Sequence, residues 1–307
     1  MIFVLWHKVP DTDAITSALV YANYLTLLWT DAKAISLWEY NKETLFILDY
    51  IGISLPSIVS NLPVWSTIAL VDHNEEWQSI EDRKNLYIHS IVDHHKVDFS
   101  LWYPIAMRFE PVASTNSILY KMYKEANIDI SRETALLMIS WILSDTLYFR
   151  SPTTTEEDKK ILTELNKIVN IENLEQFAMN MFTAKSDLWN ISPYQLVKEI
   201  DAKDFIFGWK RSLIACIETT NPQYCLDRKH EIIDEIQIIK QSEWYDFILF
   251  CIVDILQEKN TAIIASPIEM EIVKKVFDSE TMDWIADLWN RISRKKTIVP
   301  PMESVLW

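Results

Sequence analysis

Four of the six histidines stand beside carboxylates in three short stretches. They are His7 in His7-Lys8-Val9-Pro10-Asp11-Thr12-Asp13, His73 in Asp72-His73-Asn74-Glu75, and His94 and His95 in Asp93-His94-His95. A fourth polar cluster, Ser144-Asp145-Thr146, closes an apolar segment. On a loop leaving a strand, alternate residues of H-x-x-x-D-x-D can turn their ligand atoms toward one point. Imidazole nitrogen with several carboxylate oxygens suits Mn, Co, Fe or Zn, whereas an all-oxygen cage would suit Mg or Ca. These motifs supply at least two His and four Asp. That is more than one ion needs, and enough for two ions sharing a bridging carboxylate. A lone D-x-D or a lone His is ordinarily a surface loop or a helix cap, and His89 and His230 are read that way. Three clusters, each at the end of an apolar run, outweigh that reading for the others.

The elements that must position these residues follow from the apolar pattern. Residues 2–6, 66–72 and 88–93 read as strands, each ending in His and Asp, and a helix is expected from about Ala14 through Leu28 with Asp11 or Asp13 at its start. Ligands collecting at the carboxyl ends of strands fit an open, mainly parallel sheet with helices on both faces. Helices are expected at about 114–126, 131–143, 156–168 and 172–182. Periodicity breaks at 186–193. Beyond the break, strands are expected at 211–218, 246–254 and 260–265, helices at 228–242 and 268–278, and a strand at 297–299. The expected organisation is α/β: a metal-binding domain over 1–186, a linker over 187–193, and a smaller α/β domain with a mixed sheet over 194–307.

Composition narrows the function. The 307 residues carry 29 Lys+Arg against 44 Asp+Glu, a formal charge of −15. An acidic surface argues against a nucleic-acid partner, which needs clustered Lys and Arg. No apolar run approaches the ~18 residues of a membrane span, and the N-terminus lacks the basic region of a signal peptide. Cys216, Cys225 and Cys251 are odd in number and widely spaced, which suits a reducing cytoplasm and gives neither a disulfide framework nor a zinc motif.

The ordered set His7-Lys8-x-Pro10-Asp11-Thr12-Asp13, Asp72-His73-Asn74-Glu75, Asp93-His94-His95, Ser144-Asp145-Thr146 and Ser293-Arg294-Lys295-Lys296 resembles the motifs of family II manganese-dependent inorganic pyrophosphatases of the DHH phosphoesterase superfamily. Glu110-Pro111-Val112, Ser151-Pro152-Thr153-Thr154 and Asp201-Ala202-Lys203 extend the resemblance over nearly the whole chain. It implies a DHH domain followed by a DHHA2 domain, with the active site in the cleft between them. It implies two Mn2+ per subunit, with Co2+ or Mg2+ as substitutes. His7 and Asp11 would hold one ion, Asp13, His94 and Asp145 the other, and Asp72 would bridge them. His95, Lys203, Arg294 and Lys295 would hold the phosphates of pyrophosphate. A cytoplasmic homodimer joined through the first domain is also implied.

Local chemistry agrees with this resemblance. A polyanionic substrate on a chain at −15 needs concentrated positive charge, which metal ions and Ser293–Lys296 would supply. A water between two ions can attack phosphorus in line, so no covalent nucleophile is required. Short-chain polyphosphate hydrolysis is the neighbouring alternative, and a catalytically impaired homologue with a binding role is the alternative from another class. An oligonucleotide-directed relative is disfavoured by the acidic charge and by the missing Gly-rich C-terminal motif. A regulatory relative with a nucleotide-binding insertion would need a longer chain.

One departure stands out. The chain has 2 Gly and 13 Trp, where average usage would give Gly at about 7%, roughly 21 residues. The resemblance implies that relatives usually have Gly at the positions of Trp6, Trp38, Trp141 and Trp289. UGA codons decoded as glycine in the source organism would produce this pattern, and Trp6 and Trp141 would otherwise crowd the metal site.

Overall fold

In the computed structural model, which describes residues 1–8, 11–59 and 61–306, the chain divides into two compact units. The first comprises Met1–Phe149 and Thr153–Met181, the second Arg150–Pro152 and Phe182–Trp307. Pro10 of the first motif lies outside the described residues.

The first unit runs β1 (Ile2–Leu5), α1 (Thr12–Leu27), β2 (Ala32–Ala34), α2 (Lys42–Ile51), β3 (Thr67–Val71), β4 (Tyr87–Asp93), β5 (Ala106–Phe109), α3 (Thr115–Glu125), α4 (Arg132–Asp145), α5 (Glu156–Val169) and α6 (Leu174–Lys185), the last crossing the unit boundary. Its five strands are all parallel, in the order β2-β1-β3-β4-β5. The chain leaves β1 toward β2 on one side and returns to β3 on the other. The sheet's topological switch therefore lies between β1 and β3, where such sheets open a crevice at the carboxyl ends of their strands. Strand residues Leu5, Ile68, Leu70, Ile88 and Ile91 share one apolar cluster. Asp11 caps α1, its Oδ1 accepting the Ala14 N–H at 3.1 Å, so the helix starts two residues before Ala14. Ser114, Ser131 and Thr155 likewise cap α3, α4 and α5.

The second unit continues with α7 (Pro193–Lys198), β6 (Ala202–Phe207), β7 (Lys210–Thr219), α8 (Gln223–Asp227), α9 (Lys229–Glu243), β8 (Phe247–Asp254), β9 (Lys259–Ile263), α10 (Pro267–Phe277), β10 (Thr281–Met282), β11 (Ile285–Asp287) and α11 (Val299–Leu306). Its sheet is mixed, ordered β10-β11-β9-β8-β7-β6, with only β7 and β8 parallel. Period-two alternation sorts β7 between two cores. Leu213, Ala215 and Ile217 pack with Ile232, Ile236 and Ile239 of α9, whereas Ile214 and Cys216 pack with Ile272, Val273 and Phe277 of α10. Every residue of the central strand β8 is buried, which is why its sequence, Phe-Ile-Leu-Phe-Cys-Ile-Val, reads as an unbroken apolar run.

The expected strand at 297–299 is a correction. Arg294–Ile298 form a π-helical turn that leads into α11. Ile298 and Val299 are apolar and β-branched, but Ser293 caps the turn by accepting the Lys296 N–H, and both apolar residues pack inward from the helix. Tertiary packing overrides the local strand preference here.

Candidate metal centre

The carboxyl ends of β1, β3 and β4 place His7, Asp72 and Asp93–His95 along one edge of the parallel sheet. Because β1 and β3 are neighbours, residues 65 positions apart in sequence meet: His7 Nε2 lies 3.4 Å from Asp72 Oδ2. Three donor sets have ligand atoms mutually within 4.8 Å: His7, Asp11 and Asp72; Asp72, His94 and His95; and Asp13, His94 and Asp145. Asp72 belongs to two of these sets and His94 to two. The seven sequence-predicted site residues of the first unit are thus gathered in one place. Lys203, Arg294 and Lys295 lie in the second unit.

Each donor is aimed by its surroundings. His7 Nδ1 lies 2.7 Å from the Lys8 carbonyl and His94 Nδ1 2.9 Å from the Val112 carbonyl. A proton on each Nδ1 would leave Nε2 with its lone pair facing the carboxylates. His94 Nε2 is 3.4 Å from Asp72 Oδ1. Asp11 does two jobs: Oδ1 caps α1, and Oδ2 lies 3.8 Å from His7 Nε2. Asp72 follows β3 with φ of 60°, in the left-handed region that Asp tolerates better than most residues. Its Oδ1 accepts the Thr115 hydroxyl at 2.9 Å. Asp13 accepts from Ser17 Oγ at 2.6 Å, the Thr115 N–H at 2.9 Å and Asn116 Nδ2 at 3.1 Å. His95 is held by Asp93, whose Oδ1 accepts from its backbone N–H at 3.0 Å and pairs with its Nδ1 at 2.8 Å. Asn74 in turn donates to Asp93 Oδ2 at 2.7 Å.

Electrostatics test whether a metal fits. Burial, and then the charges of Asp72 and Asp145, push the Asp13 carboxyl well above the usual carboxylate range. Burial also opposes the Asp72 charge, but protonated His7, through a hydrogen bond, and the positive charges of protonated His95, His94 and His7 outweigh it and hold that carboxyl well below the range; a bound cation would take the place of those protons. Buried carboxylates that repel one another, with two imidazole Nε2 atoms among them, form a centre that divalent cations relieve. The mixed N and O donors fit Mn2+.

In the second unit, Arg294 Nη2 donates to Asp201 Oδ1 at 2.6 Å, and Nη1 donates to the Asp201 carbonyl at 3.1 Å and the Ile214 carbonyl at 3.3 Å. Burial works against the guanidinium charge, yet Asp201 outweighs it and pushes the Arg294 pKa up. Burial likewise opposes the Asp201 carboxylate, and Arg294 and Lys203 overcome it to hold its pKa below the usual range. Arg294 is therefore a positioned charge, whereas Lys295 and Lys296 of the same motif are exposed.

Sequence reasoning missed the residues that orient the donors: Thr115 and Asn116 at the start of α3, and Glu43 on α2. Glu43 is buried and accepts from Thr12 Oγ1 at 2.7 Å and Ser144 Oγ at 2.9 Å. A polar Ser-Thr-Asn-Ser run opening a helix was the available signal for the first two, and a Glu within the buried first turn of an apolar helix for the third.

A model of the DHH family N-terminal domain matches residues 1–142, and a model of the DHHA2 domain matches residues 179–305. A protein of Deinococcus radiodurans assigned as a manganese-dependent inorganic pyrophosphatase is 41% identical over 311 residues, covering 99% of this chain and 98% of that protein. One of Bacillus licheniformis with the same assignment is 36% identical over 307 residues, covering 99% and 98%. The crystal structure of a Methanococcus jannaschii protein, assigned as a family II inorganic pyrophosphatase, matches with a TM-score of 0.87 at 33% identity, covering 100% of this chain and 99% of that one. With both domain models matched in order and full-length identity to such relatives, the chain belongs to the family II, manganese-dependent inorganic pyrophosphatases.

Proposed function

We propose that the chain hydrolyses inorganic pyrophosphate to two phosphates with two Mn2+ ions per subunit. The observation that carries this reading is the sharing of Asp72 and His94 among three donor sets at the switch point of the parallel sheet. His7 and Asp11 would hold one ion, Asp13, His94 and Asp145 would hold the other, and Asp72 is placed to serve both. When bound, such a pair of ions supplies Lewis acidity and a water ionised near neutral pH. His95, oriented by Asp93, binds the substrate beside this centre. Lys203, Arg294 and Lys295 bind its phosphates, and Asp201 holds the Arg294 fork in place before substrate arrives, which limits the ordering cost of binding. No side chain is asked to form a covalent intermediate. All three thiols are buried, and burial pushes the Cys225 thiol up to about 12, out of range for a nucleophile.

Among the described residues no helix is long and apolar enough to cross a membrane. The chain works in the cytoplasm without a nucleic-acid partner, a reading that the three free thiols and the charge of −15 support, and the family resemblance implies a homodimer joined through the first unit. The test is phosphate release from pyrophosphate by protein stripped with a chelator and reloaded with Mn2+, Co2+ or Mg2+. Activity should vanish on stripping and return most fully with Mn2+ or Co2+. Full activity under chelator overturns the metal reading, and faster turnover of tripolyphosphate overturns the substrate.

A further inference from the structure

Five tryptophans have a left-handed backbone: Trp29 (φ 63°), Trp65 (φ 69°), Trp244 (φ 61°), Trp284 (φ 63°) and Trp289 (φ 51°). Asp and Asn account for six of the other non-glycine residues with positive φ, as their short polar side chains allow. Only Leu147, Tyr148, Phe149 and Glu258 complete the set among the described residues. A bulky ring gains nothing from this conformation, because its Cβ is forced toward the backbone.

The local motifs at these sites are those that select glycine. Helix α2 ends with Gly52 (φ 81°), whose N–H donates to the Asp49 carbonyl while Ile53 N–H donates to the Leu48 carbonyl. Helix α1 ends with the same pair of bonds, Trp29 to Thr26 and Thr30 to Leu25, and places Trp29 where α2 places Gly52. Helix α9 ends on Trp244, with Tyr245 N–H bonded to the Lys240 carbonyl. Trp65 is third in a turn closed by Ser66 N–H on the Pro63 carbonyl, the position where φ above zero calls for glycine. Asp283 (φ 49°) and Trp284 form the two-residue loop between β10 and β11, where Asp-Gly is a favoured pair. Packing does not compensate at the first three sites: Trp29 is 97% exposed, Trp65 81% and Trp244 83%. At the other extreme, Trp6, next to His7, is buried with no hydrogen-bond partner for its indole N–H.

We propose that the chain made in its source organism carries glycine at Trp29, Trp65, Trp244, Trp284 and Trp289, through translation that reads UGA as glycine. Trp6, buried beside His7 with an unpartnered indole N–H, is a further position for the same decoding. The deciding experiment is peptide mass spectrometry of the chain purified from source cells, over the segments that contain residues 29, 65, 244 and 284. Glycine masses are expected; tryptophan masses, or UGG codons in the gene, overturn the proposal. A recombinant series separates backbone from surface effects. Trp29→Gly, Trp65→Gly and Trp244→Gly should each raise Tm by roughly 2–8 °C. Trp77→Gly, at an exposed site without positive φ, should not. An equal rise at position 77 overturns the backbone argument.

A different observation carries a second inference, which rests on the two-ion reading above. We infer that Glu43 is a positioning residue that couples the two ion sites. Its Oε2 accepts from both Thr12 and Ser144. Thr12 lies between Asp11 and Asp13, and Ser144 precedes Asp145. One buried carboxylate oxygen thus fixes the start of α1 against the end of α4, and with them donors assigned to both ions. Calorimetric Mn2+ titration of the metal-free protein tests it. Glu43→Ala should weaken Mn2+ binding about 10–100-fold, and Glu43→Gln, which keeps an acceptor oxygen, should recover most of it. Unchanged Mn2+ affinity in Glu43→Ala, with only a lowered melting temperature, makes Glu43 merely structural and overturns the inference. Failure of the unsubstituted protein to bind Mn2+ sinks the metal reading itself.

Discussion

The carboxyl edge of the parallel sheet and the Ser293–Lys296 turn carry opposite charges and meet opposite difficulties. At the first, Asp13 is buried beside Asp72 and near Asp145, and burial together with their charges raises its cost of ionisation. At the second, Arg294 is satisfied in advance by Asp201 and two backbone carbonyls. Asp13 is frustrated by burial beside like charge, whereas Arg294 is already paired within its own region. Metal loading should therefore control the first region's order and stability, and substitutions in the second should act on substrate alone.

The largest expected effect tests the bridging role. Asp72→Asn should reduce kcat by at least ~10³-fold and lower the number of Mn2+ bound, more than loss of any non-bridging donor, because both ions weaken together. Steady-state kinetics with metal analysis checks this, and two full Mn2+ equivalents in Asp72→Asn would remove Asp72 from its role. The next effect belongs to the basic region. Arg294→Ala or Lys295→Ala should cost on the order of 10²-fold in kcat/KM for pyrophosphate, with Mn2+ affinity nearly intact. Collapse of metal affinity instead would merge the two regions into one functional unit.

Smaller effects sharpen the contrast. Asn116→Ala removes donors to Asp13, Thr16 and Ser17, so Mn2+ affinity should fall about 10-fold and stability by about 1–3 kcal/mol. Thermal melts with and without Mn2+ should show the larger deficit in the loaded protein. The smallest effect concerns pH. Asp201 has its folded pKa held below the ordinary 3.8 by Arg294 and Lys203, so its contribution to stability is present above pH 3.8 and is lost as pH falls through the lower folded value. The Tm difference between Asp201→Asn and the unsubstituted protein should be constant near neutrality and shrink below pH 3.8. A difference that grows on acidification would contradict the sign.

Most of the donor set was legible because its information is local. His7, Asp72 and His94 each follow an apolar run that reads as a buried strand, and Asp145 closes an apolar helix. Glu43, Thr115 and Asn116 were not legible, since polar residues at helix starts serve as caps far more often than as supports for a distant ligand. The short edge strands β2 and β5 carry too few apolar residues to stand out, and Thr297–Val299 read as a strand until packing of Ile298 and Val299 drew it into a helix.

By itself the sequence determined which chemical groups are available, their order, and their places at the ends of elements, because residue type and apolar period are written position by position. It also determined the abnormal ratio of Trp to Gly. Tertiary structure decided that β1 lies beside β3, which brings His7 and Asp72 within 3.4 Å. It decided, too, which tryptophans sit in left-handed turns. Strand order and the φ of a loop residue come from long-range pairing and packing summed over the sheet, and no local window of residues contains that sum.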